Sequence, residues 1–352
     1  GEIRGIIGPN GAGKTSLLNL ITGNLDSVGG ALVANPAVDL LNAPGSKAGS
    51  YDRWRSRVSQ RPEVLGEFPC ALMSEEILTP GEGQIKAMVT VAGNPVLSTP
   101  NGQRLDKALA QLDFMVSIDL YLNETSRHAH VILPTSAPLE HDHYDLIFNL
   151  FAVRNQAKYS PAVFNKPEGM LHDWELFGQL AERYAQLSGQ PVKPMFPPTM
   201  ILDMGLQMGP CGMASPHQLS LAKLKAHPEG IDLGPLQPSF PQRLQTADKK
   251  VDCAPTEVLK AVEVYLAGLY QSDLNAAWQM TLIGRRHIRS NNSWLHNAER
   301  LVKGKNRCTA QINPEDAVRI GVADGQLVRV RSRVGNITLP AEITADVMAG
   351  VV

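Results

Sequence analysis

The sequence predicts an α/β protein: a parallel sheet with crossover helices, followed by part of a small β-barrel. Three observations carry this. An apolar, β-branched run at Ala87–Ala92 leads into a turn, a helical pattern and a second apolar run at Phe114–Ile118, which is the order of a βαβ unit. From Gln311 to Val352 short β runs alternate with turns. The chain as a whole is 43% hydrophobic and 19% charged, the balance of a globular protein with a sizeable core.

The first element is a strand–turn–helix. Ile3–Ile7 is an apolar strand and Ser16–Ile21 starts an apolar helix. Between them Gly8-Pro9-Asn10-Gly11-Ala12-Gly13-Lys14-Thr15 fits G-x-x-x-x-G-K-[ST]. Such glycines turn backbone N–H groups toward a phosphate at a helix start. Gly8, Asn10, Gly11, Gly13, Lys14, Thr15 and Ser16 are the candidate phosphate ligands, with ATP and Mg²⁺ as the nucleotide they would take. The segment resembles the Walker A region of ABC-transporter ATPases of the branched-chain amino acid or urea type. That family also needs an LSGGQ signature and an apolar run ending in Asp-Glu. Phe114–Asp119 imitates the second, but Leu120 replaces the Glu. Leu187-Ser188-Gly189-Gln190 imitates the first, in the wrong order. Residues 1–23 therefore read as an orphan phosphate loop, with no ATPase around it.

Residues 34–84 are rich in Pro, Gly and Ser and are expected to be loops. Ala87–Ala92 is expected to be a buried strand. Leu105, Ala108, Leu109 and Leu112 recur at helical spacing, and Phe114–Ile118 is the next strand. Ligands sit outside the carboxyl ends of such strands. Asn94 stands at one end. Asp119 stands at the other, where its carboxylate either accepts hydrogen bonds from a sugar or guanine edge or only caps a loop. Thr125–Ala129 reads as a short helix and Val131–Leu133 as a third strand. His128, His130, Glu140, His141, Asp142 and His143 cluster in sequence but lack metal-ligand spacing, so no metal is assigned. His172–Tyr184 is a helix with Trp174, Leu176, Phe177, Leu180 and Tyr184 on its apolar side and Asp173 capping its start. Residues 190–255 are expected to be long loops, and Pro255–Tyr270 another helix. Met280–Gly284 reads as a strand before a basic stretch. From Gly284 to Arg307 seven Arg or Lys face one acidic residue, Glu299, which suits a pyrophosphate. Runs at Leu327–Ser332, Asn336–Leu339 and Ala341–Thr344 complete the chain.

The formal net charge of -1 carries no footprint for nucleic acid. No apolar run reaches the length of a membrane span, and with no signal peptide in view a cytoplasmic location is expected. Cys70, Cys211, Cys253 and Cys308 are scattered, which argues against zinc or an iron–sulfur cluster and for reduced thiols.

Four stretches together are similar to the molybdopterin oxidoreductases of the DMSO reductase, formate dehydrogenase and periplasmic nitrate reductase superfamily. They are GNPVLSTPNGQRLDKAL, DFMVSIDLYLNETSRHAHVILPTSAPLEHD, LIGRRHIRSNNSWLHN and INPEDAVRIGVADGQLVRVRSRVG. The resemblance runs from Asn24 to Val352. It implies a Rossmann-like domain at 86–270 after a connecting region at 24–85, and a truncated dinucleotide-binding domain at 275–352 that starts a double-psi barrel. It implies a bis-molybdopterin guanine dinucleotide with molybdenum or tungsten, and an electron-transfer partner. By position Asn94, Ile118, Asp119 and Asp173 would hold a guanosine. Ile283, Gly284, Arg285, Arg286, His287, Ser290, Asn291 and Asn292 match the family's long cofactor-binding turn. The family's iron–sulfur cysteines and its metal-ligating Cys, selenocysteine or Ser have no counterpart here, so the chain is expected to be a fragment without catalytic residues. At Thr22–Asp26 the two resemblances meet over similar wording, which predicts a chimera.

Overall fold

The computed structural model describes residues 23–43, 49–252, 254–271, 280–291, 295–296, 298–332 and 335–352. The candidate phosphate loop, with Gly8, Asn10, Gly11, Gly13, Lys14, Thr15 and Ser16, lies outside the described residues, as do Asn292 and Cys253. Two compact units are formed, Gly1–Cys253 and Ala254–Val352.

The first unit begins with a hairpin, β1 (Tyr51–Arg55) against β2 (Pro62–Val64), followed by helix α1 (Met73–Leu78). Regular structure thus interrupts a stretch whose Pro, Gly and Ser content reads as loop. The hairpin is held by a buried charge rather than by an apolar pattern. Glu63, inaccessible to solvent, pairs with Arg53 at 3.0 Å and accepts from the Gly66 N–H at 2.5 Å.

The βαβ unit follows. Strands β3 (Ala87–Val91), β4 (Phe114–Ile118) and β5 (Val131–Ile132) form one parallel sheet in that order. Helices α2 (Pro95–Ser98) and α3 (Gly102–Leu109) carry the chain from β3 to β4. Leu105, Ala108, Leu109 and Leu112 pack on Ile77 and Met115 as one buried cluster, so the helical spacing buries the face it marks. β3 departs from expectation. Among the described residues it is an edge strand, with Val89 and Val91 exposed and Thr90 its buried residue. An apolar run records strand propensity, while burial depends on which neighbours the topology supplies.

A second core gathers Ala37, Val38, Ala157, Tyr159, Leu206, Leu219, Leu221 and Leu224. Its residues come from or adjoin short pieces: β6 (His143–Tyr144), β7 (Asn155–Ala157) and β8 (Tyr159–Ser160), then, beyond α4 (Asp173–Ser188), which does not add to it, α5 (Pro198–Met208), α6 (Leu221–Lys225) and β9 (Ile231–Gly234). α5, α6 and β9 overturn the expectation of loops across 190–255. Pro198 occupies the first turn of α5, where its missing N–H costs nothing. On α4, Leu176 and Ala185 are buried while Phe177, Leu180 and Tyr184 are exposed.

In the second unit α7 (Thr256–Gln271) and α8 (Glu299–Val302) precede a three-stranded sheet. β10 (Ala310–Ile312) lies parallel to β12 (Asn336–Ile343), and β11 (Leu327–Arg331) antiparallel to it. Helix α9 (Pro314–Ile320) joins β10 to β11 and closes a core of Ala310, Ile312, Ala317 and Ala341. β12 is continuous through Pro340, joining two runs that read as separate strands. Met280–Gly284 is not a strand. Thr281 makes an isolated bridge to Val351, supported by Ile283 N–H on the Val352 carbonyl at 2.9 Å.

Candidate functional site

The carboxyl ends of β3 and β4 lie side by side because the strands are parallel neighbours, Val91 opposite Ile118. Ala92 leaves β3 with φ 47° and hydrogen-bonds the Ile118 carbonyl at 2.8 Å. A left-handed alanine is strained, and here it turns the chain sharply into Gly93-Asn94. The residue after Ile118 is Asp119, so Asn94 and Asp119 share one lip.

A loop that follows β4 fixes both. Asp119 accepts from the Tyr121 N–H at 3.0 Å and from the Asn123 side-chain amide at 3.0 Å. Asn123 Oδ1 in turn accepts from the Thr125 and Ser126 N–H groups, each at 2.9 Å. Thr125 and Ser126 are fully buried. The Thr125 hydroxyl donates to Asn94 Oδ1 at 2.7 Å and accepts from the Val96 N–H at 3.1 Å. Asn94 Nδ2 donates to Glu124 at 2.7 Å. That hydrogen bond, with the Glu124 backbone and Arg127, holds the Glu124 carboxyl below its ordinary range. Below the lip, Arg127 and His128 both reach Asp106 of α3 at 2.6 Å. They pin the short 3₁₀ turn Ser126–His128, which the sequence reads as a helix from Thr125.

Asn94, Ile118 and Asp119 are thus brought together, with Ile118 buried behind them. Asn123, Glu124 and Thr125 hold this lip, and sequence reasoning did not mark them. Asp173 stands at the start of α4 as placed, but it does not cap the helix. Its backbone is already helical, whereas His172 has the extended conformation of a cap, φ -72° and ψ 156°. Glu175 does the capping, accepting from the His172 N–H at 2.8 Å while pairing with Lys166 at 2.6 Å.

In the second unit Ile283, Gly284, Arg285 and Arg286 are exposed, as is Asn291 with φ 41°. His287 and Ser290 close a turn, Ser290 N–H to His287 carbonyl at 3.0 Å. Arg285 is already engaged. It donates to the Arg307 carbonyl at 2.6 Å and Thr309 at 3.0 Å, and faces Glu342 at 3.5 Å. Among the described residues, an added Cβ on Gly284 would meet nothing within 4 Å.

A cavity of about 810 Å³ lies elsewhere in the first unit, among Val38, Tyr144, Leu202, Gly205 and Met208. None of the residues marked as cofactor ligands lines it. Asp142 and His143, from the histidine-rich stretch, do. Among the described residues no group of three or more His, Cys, Asp or Glu comes together as a metal site. Among them, too, no helix is long and apolar enough to cross a membrane.

Residues 5–183 match the family described as Molybdopterin oxidoreductase, and residues 280–352 match the Molydopterin dinucleotide binding domain. The first match begins at residue 5 and so takes in Gly8–Ser16. F420-dependent formate dehydrogenase subunit alpha of Methanocaldococcus jannaschii is 24% identical over 79% of this chain and 39% of its own length. The assimilatory nitrate reductase catalytic subunit of Bacillus subtilis is 24% identical over 76% and 36%. The chain thus spans less than two fifths of these relatives. Among solved structures, acetylene hydratase from Pelobacter acetylenicus superposes with TM-score 0.54 at 17% identity, over 80% of this chain and 38% of that one.

Proposed function

The chain belongs to the molybdopterin oxidoreductase family, and from that premise we propose that it supplies part of the shell around a bis-molybdopterin guanine dinucleotide, in a formate-dehydrogenase-like enzyme. The observation that carries this is the lip. Asp119 keeps two acceptor positions beyond its two protein hydrogen bonds. Asn94 keeps one N–H for which no partner stands among the described residues. Two acceptors beside one donor complement the edge of guanine, whose N1–H and N2–H₂ donate and whose O6 accepts. The donor set therefore fits the nucleotide end of the cofactor. When bound, that cofactor supplies a redox-active molybdenum or tungsten centre.

The role of each residue follows. Asp119 would orient the base, Asn94 would read its carbonyl, and Ile118 would back them. Asp173 at the helix start would meet the sugar. Taken by itself, the turn Ile283–Asn292 of the second unit would meet a phosphate of the cofactor, with Arg285, Arg286 and Arg289 as its cations and Gly284 leaving room for close approach. The second unit is read as part of a double-psi barrel. The reductant or oxidant would be an electron-transfer partner.

Titration of the purified chain with GDP tests this. Wild type binds, and Asp119→Ala weakens binding about tenfold or more. Equal affinity in both would remove the lip from the cofactor site. A second reading rests on the G-x-x-x-x-G-K-T pattern at Gly8–Thr15: ATP with Mg²⁺ as ligand, from a segment of separate, ABC-type origin. Labelled ATP binding that is lost in Lys14→Ala supports it, and the same weak binding in both ends it.

A further inference from the structure

We infer that Thr125 and Glu124 are positioning residues that lock the Asn94 amide in one orientation and thereby set which nucleobase edge the lip accepts. This rests on the dinucleotide reading above.

An asparagine amide has two similar ends, and turning it over exchanges a donor for an acceptor. Here both ends are dictated from outside. The Val96 N–H can only donate, and it donates to the Thr125 hydroxyl. That leaves the hydroxyl hydrogen to point at Asn94, where it needs an acceptor, Oδ1. At the other end an ionised Glu124 can only accept, so it takes Nδ2. The two constraints agree. A flipped amide would set its oxygen against a carboxylate and its NH₂ against a hydroxyl whose hydrogen already points at it. Thr125 is wholly buried, so its hydroxyl cannot turn to bulk solvent instead. Unmade, its bonds would leave a buried donor unsatisfied.

The consequence is chemical. Asn94 can offer the ligand its second N–H, while its carbonyl is committed inward. Adenine places an amino group where guanine has O6, so the locked amide would meet it donor to donor. An unlocked amide would turn over and accept from it. Neither Thr125 nor Glu124 needs to touch the ligand for this selection.

The test compares GDP and ADP binding by the full chain and its variants. Wild type is expected to prefer GDP by about tenfold or more. Thr125→Val keeps the shape and loses the hydroxyl. It should cut the preference to about threefold or less, mainly by improving ADP. Thr125→Ser, which restores the hydroxyl, should restore the preference. Glu124→Leu should behave as Thr125→Val, and Glu124→Gln, which keeps an acceptor, as wild type. These two replacements on the half-buried lip keep the question open to decision if the buried Thr125→Val fails to fold. A purely structural role for Thr125 would lower the melting temperature and leave the GDP-to-ADP ratio of the folded protein unchanged, and that outcome overturns the lock. A ligand-free reading comes from the Asn94 side-chain amide by nitrogen–proton NMR. The hydrogen bonded to Glu124 should exchange slowly in wild type and fast in Glu124→Leu, and identical spectra also overturn the lock. If wild type and Asp119→Ala bind GDP alike, the dinucleotide reading fails and takes the lock with it. If Asp119→Ala alone loses GDP while the Thr125 and Glu124 variants keep the ratio, only the lock fails.

Discussion

Glu63 shows how much a single side chain does in this molecule. Burial by itself would raise its carboxyl. Hydrogen bonds from Ser50, Arg53 and the Gly66 N–H outweigh that and bring it from 4.5 to about 2. A carboxyl depressed in the folded state stabilises fully above its unfolded value and loses that contribution as pH falls through its folded value. Glu63 therefore supports the hairpin above about pH 4.5 and withdraws support toward pH 2. Urea unfolding should show Glu63→Gln less stable at pH 6, with a flatter decline between pH 4.5 and 2. An unaltered decline would transfer the acid sensitivity to other carboxylates. The same scale explains what was legible in the site. Asn94 and Asp119 are readable because a strand end is a place in a pattern. Glu124 and Thr125 are not, because their bonds to Asn94 span 30 and 31 residues, and no spacing rule marks them.

At the level of elements, packing corrects propensity. The helical spacing of α3 and the strand β4 were readable because one buried face repeats. α5 was not, since proline, methionine and glycine also compose loops; its placement depends on Leu206 reaching the core. β3 read as buried because its residues are β-branched, yet it received an edge. The start of α3 shows how tightly elements meet. A Cβ on Gly102 would stand 2.0 Å from the Val96 carbonyl oxygen. Gly102→Ala must push α3 away from the turn that feeds Thr125, at a cost of about 1–3 kcal/mol. Denaturant unfolding measures this, and a loss below about 0.5 kcal/mol would mean that the turn yields freely.

Across the whole molecule the described residues divide into two units with separate cores. Leu109 in the first and Ile312 in the second are both almost fully buried. Each change to alanine should cost about 2–5 kcal/mol. Hydrogen exchange resolved by segment should show each loss confined to its own unit, and the double change should be additive. Exchange that spreads from Leu109→Ala into β10–β12 would show one cooperative body instead of two. The two family matches, one on each unit, agree with this division.

The lip has one further consequence, which concerns direction. The hydrogen bonds from Val96 through Thr125 and Asn94 to Glu124 all point the same way. Bonds so aligned polarise one another, and the negative pole falls at Glu124, in the loop that also fixes Asp119. The rim is therefore an electrostatic sorting edge. On the proposed nucleotide reading, it would favour the neutral, hydrogen-rich face of a base over a phosphate.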